Sequence, residues 1–97
     1  MRLEFHRQLA SDISQIMDYY EGVAESRLAD EFYNELRVFF QKAADSPEAY
    51  DIFAHDLRRV NLERFPYHFL FRIVGERVRI LIVRHHRRRQ SLGLQRR

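Results

Sequence analysis

Three histidines and a dense set of arginines carry the chemistry open to this sequence. His68, His85 and His86 lie in the second half of the chain, together with Arg59, Arg72 and Arg88. RNA cleavage by attack of a 2′-hydroxyl needs a base for its proton, cations for the phosphate and an acid for the leaving oxygen. His68, His85 and Arg88 are the candidates for that catalytic work. His85 and His86 are neighbours at a strand end and point to opposite sides, so only one of them can share a site with His68. The plain alternative for each histidine is a hydrogen-bonded structural role, and Tyr67 reads as a strand aromatic rather than an acid.

Binding without chemistry is the second reading of the same region. Arg58, Arg59, Arg64, Arg72, Arg84, Arg87, Arg88 and Arg89 are candidates for contact with a partner or a nucleic acid, because guanidinium forks pair bidentately with carboxylates and phosphates. The plain alternative is a solvated charged face, with Arg59 and Arg64 discouraging pairing at a strand edge. Neither helix is basic enough to read a groove of DNA, and Phe69 and Phe71 belong to the core rather than to a base-stacking platform. The chain has no cysteine. That excludes a thiol nucleophile, a disulfide framework and a cysteine-rich zinc site, and it fits a reducing compartment. No His-x-x-x-His spacing occurs either, so no metal is expected.

Charge is sharply divided along the chain. Met1 to Asp56 holds five basic and twelve acidic residues, net −7, whereas Leu57 to Arg97 holds twelve arginines against Glu63 and Glu76, net +10. Such a division gives the molecule an acidic side and a basic side and points to an anionic partner. No apolar run is long enough to span a membrane, and Met1 to His6 does not read as a signal peptide, so an intracellular protein is expected.

The elements that position these residues follow from periodicity. Leu3 and Phe5 alternate with Arg2, Glu4 and His6, a strand from Arg2 to Arg7. Leu9, Ile13, Ile16 and Tyr20, with Met17, lie at helical spacing, which predicts a helix from about Gln8 to Glu21 stopped near Gly22. A second helix carries Leu28, Phe32, Leu36, Phe40 and Ala43 on its apolar stripe, widened by Ala29 and Phe39. Its opposite face holds Glu25, Asp30, Glu31, Glu35, Arg37 and Lys42. It ends before Ser46-Pro47, since the residue before proline is pushed out of helical geometry. Glu48 to Asp56 reads as irregular, anchored by Tyr50 and Phe53. Leu57 to Glu63 is a strand, and Tyr67 to Val74 and Arg77 to Arg84 form a hairpin around Gly75-Glu76. In that hairpin Phe69, Phe71 and Ile73 oppose His68, Leu70 and Arg72. Val78, Ile80 and Ile82 point inward, with Arg77, Arg79, Leu81 and Val83 opposite. His85 to Arg97 is a basic tail with a mobile far end and little core material.

The expected fold is therefore α+β, a single domain over residues 1–97 in the order β-α-α-β-β-β. A helical hairpin packs on one face of a mainly antiparallel sheet, burying Phe32, Leu36, Phe69, Phe71 and Ile80. The other face carries His68, Arg72 and part of the arginine set, open to a partner.

That order accompanies particular residues. Asp12-Ile13 with Ile16 and Tyr20 open the first helix, and Ala29, Phe32 and Leu36 lead to Pro47. Arg59 precedes Arg64-Phe65-Pro66-Tyr67, Phe69 and Phe71-Arg72. Val78, Ile80, Val83, His85 and Arg88 close the pattern. Together they resemble the RelE/ParE toxins of type II toxin–antitoxin systems over nearly the whole chain, and the ParE-like branch most. The resemblance implies the β-α-α-β-β-β fold, a cognate antitoxin that wraps the toxin in an extended or helical segment, and a cytoplasmic, plasmid-stabilising system without a cofactor. A toxin–antitoxin heterotetramer is among the assemblies it allows. RelE-like members cut messenger RNA in the ribosomal A site, whereas ParE-like members block DNA gyrase. Arg88 falls where RelE-like toxins place a catalytic arginine. His68, however, stands where many carry an arginine, and no tyrosine follows Tyr67. These departures place the chain with the gyrase blockers. The alternatives are a ribosome-dependent endoribonuclease using His68, His85 and Arg88, and a member that binds its antitoxin without being toxic.

Overall fold

The computed structural model describes residues 1–23, 26–88 and 93–97. Strand β1 (Arg2–Phe5) leads into helix α1 (Leu9–Val23), helix α2 (Ser26–Asp45) and a short 3-10 turn (Pro47–Ala49). Four strands follow: β2 (Ile52–Ala54), β3 (Leu57–Asn61), β4 (Tyr67–Val74) and β5 (Arg77–His85). The sheet order is β1-β5-β4-β3-β2. β1 joins β5 in parallel, pairing Leu3 with Val78 and Phe5 with Ile80, and the other pairs are antiparallel.

Most elements obey the sequence signals. α2 ends at Asp45, and Pro47 opens the turn that follows. Gly75, at a φ of 61°, supplies the left-handed residue that the tight β4–β5 turn requires. Gly22, by contrast, is not among the positive-φ residues, so it makes no left-handed cap and α1 runs on to Val23. Glu25, expected on the charged face of α2, lies outside the described residues.

Two corrections concern strands. The stretch expected to be irregular, Glu48 to Asp56, contains β2, paired with β3 in an uneven register of Ile52 with Arg58 and Ala54 with Leu57. His55 takes a φ of 55° to turn the chain between them, and three residues are too few to show a period of two. The second correction is in β5. Leu70 pairs with Ile82 but Phe71 pairs with Ile80, so Leu81 is an extra residue in a β-bulge. Beyond it every side chain changes face. Val83, expected outward, packs in the helix-side core, and Ile82, expected there, lies on the far face.

The helix-side core contains Phe32, Leu36, Phe69, Phe71 and Ile80, each fully buried, as expected. The far face is not simply open. A second cluster of Leu57, Leu70, Leu81 and Ile82 lies there, covered by Phe53 and Leu94. Gly93 permits that cover: a Cβ on it would stand 2.7 Å from Cδ1 of Ile82.

Candidate functional site

The bulge at Leu81 decides which histidine meets His68. Unbroken alternation would put His85 on the far face beside His68. The extra residue instead sends Arg84 and His86 there and turns His85 toward the helices. Arg84 sits opposite His68 in the β4–β5 register, and its Nε donates to His68 Nε2 at 2.8 Å. His68 Nδ1 and His86 Nδ1 are 2.9 Å apart. The two rings are within 7° of parallel with centroids 5.1 Å apart, so they meet edge to edge in one plane through that N–H···N bond. Because His68 Nε2 accepts from a guanidinium, its proton belongs on Nδ1, which donates to His86 Nδ1. The proton of His86 then resides on Nε2.

Burial enforces neutrality. His68 is 1% exposed, and desolvation, reinforced by the positive charges of Arg59 and Arg84, lowers its pKa to about 3. Burial and then Arg59 also lower His86 and Arg84. Both guanidiniums approach Phe53, with Arg84 Cζ 5.3 Å and Arg59 Cζ 5.7 Å from its ring centroid, a cation–π arrangement. Arg59 Nε donates to Asn61 Oδ1 at 2.8 Å.

His85 occupies a different place. Its ring meets Tyr67 edge-on at 5.1 Å, and its Nδ1 accepts from the backbone N–H of Arg87 at 3.0 Å. With Arg88, Tyr67, Tyr19, Gln15 and Asp12 it lines a groove of about 480 Å³ along the outer edge of β5. Asp12 accepts from Arg96 at 2.7 Å and from the Val83 backbone N–H at 3.3 Å, and Arg96 donates to the Leu81 carbonyl at 3.0 Å. Among the described residues no strand pairs with that edge beyond Phe5, and these side chains occupy it. Tyr20, deeply desolvated in the neighbouring aromatic cluster, has its pKa raised to about 12.

The nuclease candidates are thus not brought together: His68 is sealed on the far face, and His85 and Arg88 line the edge groove. The remaining arginines are similarly dispersed. Arg58 donates to the Tyr50 carbonyl at 2.7 Å. Arg64 crosses to α2, pairing with Glu31 at 3.0 Å, while its backbone N–H reaches Glu35. Arg72 pairs with Asp56 at 3.4 Å and keeps a buried Nε without a partner. Arg77 and Arg79 both bind Glu4. Arg87 is exposed, and Arg89 lies outside the described residues. Among the described residues no cluster of three metal-ligating side chains occurs.

One feature escaped the sequence reading. β1, the start of α1 and one flank of α2 enclose an apolar groove of about 900 Å³, lined by Leu3, Phe5, Ala10, Ile13, Tyr33 and Val38, with His6 and Arg37 among its polar members. Phe5, Tyr33 and Val38 are 51%, 40% and 52% exposed. The signal was present: Tyr33 and Val38 stand outside the apolar stripe of α2, on the face read as charged.

Comparison with known proteins follows the same lines. Residues 3–90 match the family model for the ParE toxin of type II toxin–antitoxin system, parDE. A chain of the chromosomal ParDE TA system from P. aeruginosa superposes with a TM-score of 0.79 at 22% identity, covering 88% of this chain and 95% of that one. The isolated E. coli RelE toxin gives 0.58 at 15% identity, covering 93% and 88%. A chain of the intact E. coli RelBE toxin–antitoxin complex gives 0.58 at 15%, covering 90% and 98%. At these identities the structures establish the shared RelE/ParE fold. No curated protein sequence matches.

Proposed function

The chain belongs to the ParE toxin family of type II toxin–antitoxin systems, and from that premise we propose a toxin that acts by binding, blocks DNA gyrase when free, and is silenced by a cognate antitoxin. The observation that carries this reading is the separation of the groups a nuclease would need. His68 is buried, both of its ring nitrogens are engaged, and its pKa is too low for it to hold a proton near neutrality. It cannot serve as acid or base for a substrate it does not touch. The greater likeness to the ParDE chain than to RelE supports the same branch. RelE-like cleavage would have to rely on His85, Arg88 and Tyr67 in the edge groove.

The antitoxin reading rests on the 900 Å³ groove. An exposed apolar groove of this size is a docking site for apolar anchors from an extended or helical partner segment. Arg37, the one Lys, Arg, Asp or Glu side chain that lines the groove, would orient a carboxylate of that segment. The arginines of the second half of the chain, which lie outside the groove, would add association rate with an acidic partner. The toxin would work in the cytoplasm, within a heterotetramer or a smaller assembly; no helix among the described residues is long and apolar enough to cross a membrane.

Growth experiments test both halves. Inducing the chain alone should arrest bacterial growth, and co-expressing the adjacent small reading frame should restore it. Val38→Glu, at an exposed groove position, should fold normally, remain toxic and escape that rescue. Unimpaired growth at confirmed soluble expression removes toxicity and leaves a member that only binds its antitoxin. Full rescue of Val38→Glu removes the groove as the docking site.

A further inference from the structure

We infer that the edge groove beside β5 is the surface that grips the cellular target, through Tyr19, Arg88 and the open backbone of β5, and that its occupant is an extended acidic segment of a protein. The site rests on the gyrase-blocking reading for the identity of that target. Helix α1 separates this groove from the apolar one assigned to the antitoxin. Ala10 and Ile13 line the apolar groove, Gln15 and Tyr19 line the edge groove, and no described residue lines both. At ~100° per residue, Tyr19 points about 180° around the helix from Ala10. A segment seated in one groove leaves the other uncovered.

Two side chains are presented there. Tyr19 is 58% exposed, an aromatic ring of the kind that anchors protein interfaces. Arg88 is exposed on the turn after β5, and His85 fixes that turn. The His85 carbonyl accepts from the Arg88 N–H at 3.0 Å, and its Nδ1 accepts from the Arg87 N–H at 3.0 Å. Asp12 is the one carboxylate among the lining residues, and Arg96 binds it. Arg84 donates to His68, so Arg88 is the lining guanidinium placed to meet a carboxylate of the partner. The backbone selects the partner's form. Val83 N–H points outward to Asp12, and His86 N–H points inward to the Pro66 carbonyl at 3.0 Å. Strand alternation therefore turns the Val83 carbonyl and the His85 N–H outward, beyond the place where β1 stops pairing. One residue of an extended segment in line with β1 and parallel to β5 meets both groups, as in strand addition to a sheet edge. A nucleic acid asks instead for cations repeated along its phosphates.

The test sets growth arrest and gyrase inhibition against binding of the product of the adjacent small reading frame, for the full-length protein and its variants at matched soluble expression. Tyr19→Ala and Arg88→Gln should each lose growth arrest and need about tenfold or more protein to inhibit supercoiling by half. Both should bind the small-frame product within about twofold of wild type, which also shows that they fold. Arg27→Gln, which removes an exposed positive charge from α2, should change neither readout. A wild type that arrests growth but spares gyrase removes gyrase as the target and not the groove, because Tyr19→Ala and Arg88→Gln must still lose the arrest. The groove is overturned if those two variants arrest growth like wild type, if they lose the small-frame product in the same proportion, or if the wild type arrests nothing. A single-stranded oligonucleotide that binds the wild type and is released by the same substitutions overturns the protein segment as its occupant.

Discussion

At His68 the chemistry of a single residue changes meaning once its neighbours are known. A histidine opposite an arginine-rich strand invites a catalytic reading. The same histidine with Nε2 accepting from Arg84 and Nδ1 facing His86 is a neutral spacer that holds two other side chains in position. Its pKa, about 3 in the fold, lies below the 6.5 of an unperturbed imidazole. Between these values the unfolded chain takes up a proton that the folded chain refuses, so stability is complete above pH 6.5 and is lost as pH falls. One such group gives a slope of up to about 1.4 kcal/mol per pH unit. Urea midpoints measured from pH 7 to pH 5, above the carboxylate range, should therefore fall. His68→Gln, whose carbonyl can accept from Arg84 while its amide donates to His86, should flatten that dependence. An equal slope in both proteins would mean that His68 is not the group responsible. What the sequence allowed was the rule that only one of His85 and His86 can join His68; choosing between them required the bulge.

Elements show the same division between local and distant information. The β4–β5 hairpin was legible because alternation on both sides of Gly75-Glu76 is a local signal, and the end of α2 was legible in Ser46-Pro47. β2 has three residues, and the parallel pairing of β1 with β5 joins segments some 75 residues apart, so neither leaves a local trace. The bulge is hidden for another reason. Val78 to Val83 offers apolar residues to both faces, and either register satisfies them. What holds the bulged edge in place is Asp12 and Arg96, whose side chains are 15% and 16% exposed and together take the Val83 N–H and the Leu81 carbonyl. Asp12→Ala should cost about 1–3 kcal/mol, since it strands a partly buried guanidinium and a backbone donor. A double-mutant cycle with Arg96→Ala should show coupling of about 0.5 kcal/mol or more. Strict additivity of the two substitutions would show that the last residues of the chain are not fastened to the β5 edge.

For the whole molecule, the fold was readable from residue order and spacing and the family from a resemblance over nearly the whole chain, while the arrangement of the arginines was not. Twelve arginines in the second half suggested one basic face, yet Arg64 lies against α2, Arg77 and Arg79 against β1, Arg96 at the β5 edge, and Arg59 with Arg84 beneath Phe53. A sequence gives the number of charges; the sheet register and the bulge distribute them. What remains for a large target is a surface, with exposed Arg87 and Arg88 beside the edge groove and an apolar groove on the opposite flank of the helices. The proposed block of gyrase would need complementarity of that surface and not a reacting centre. The most direct measurement sets the purified protein against two substrates in parallel: relaxed plasmid with DNA gyrase, and messenger RNA on translating ribosomes. Binding without chemistry predicts inhibited supercoiling and intact messenger RNA, with Arg87, Arg88 and Arg89 replaced together weakening the inhibition more than His85→Ala does. Codon-positioned cleavage that is abolished by His85→Ala or Arg88→Ala alone would contradict it and make the protein a ribosome-dependent nuclease.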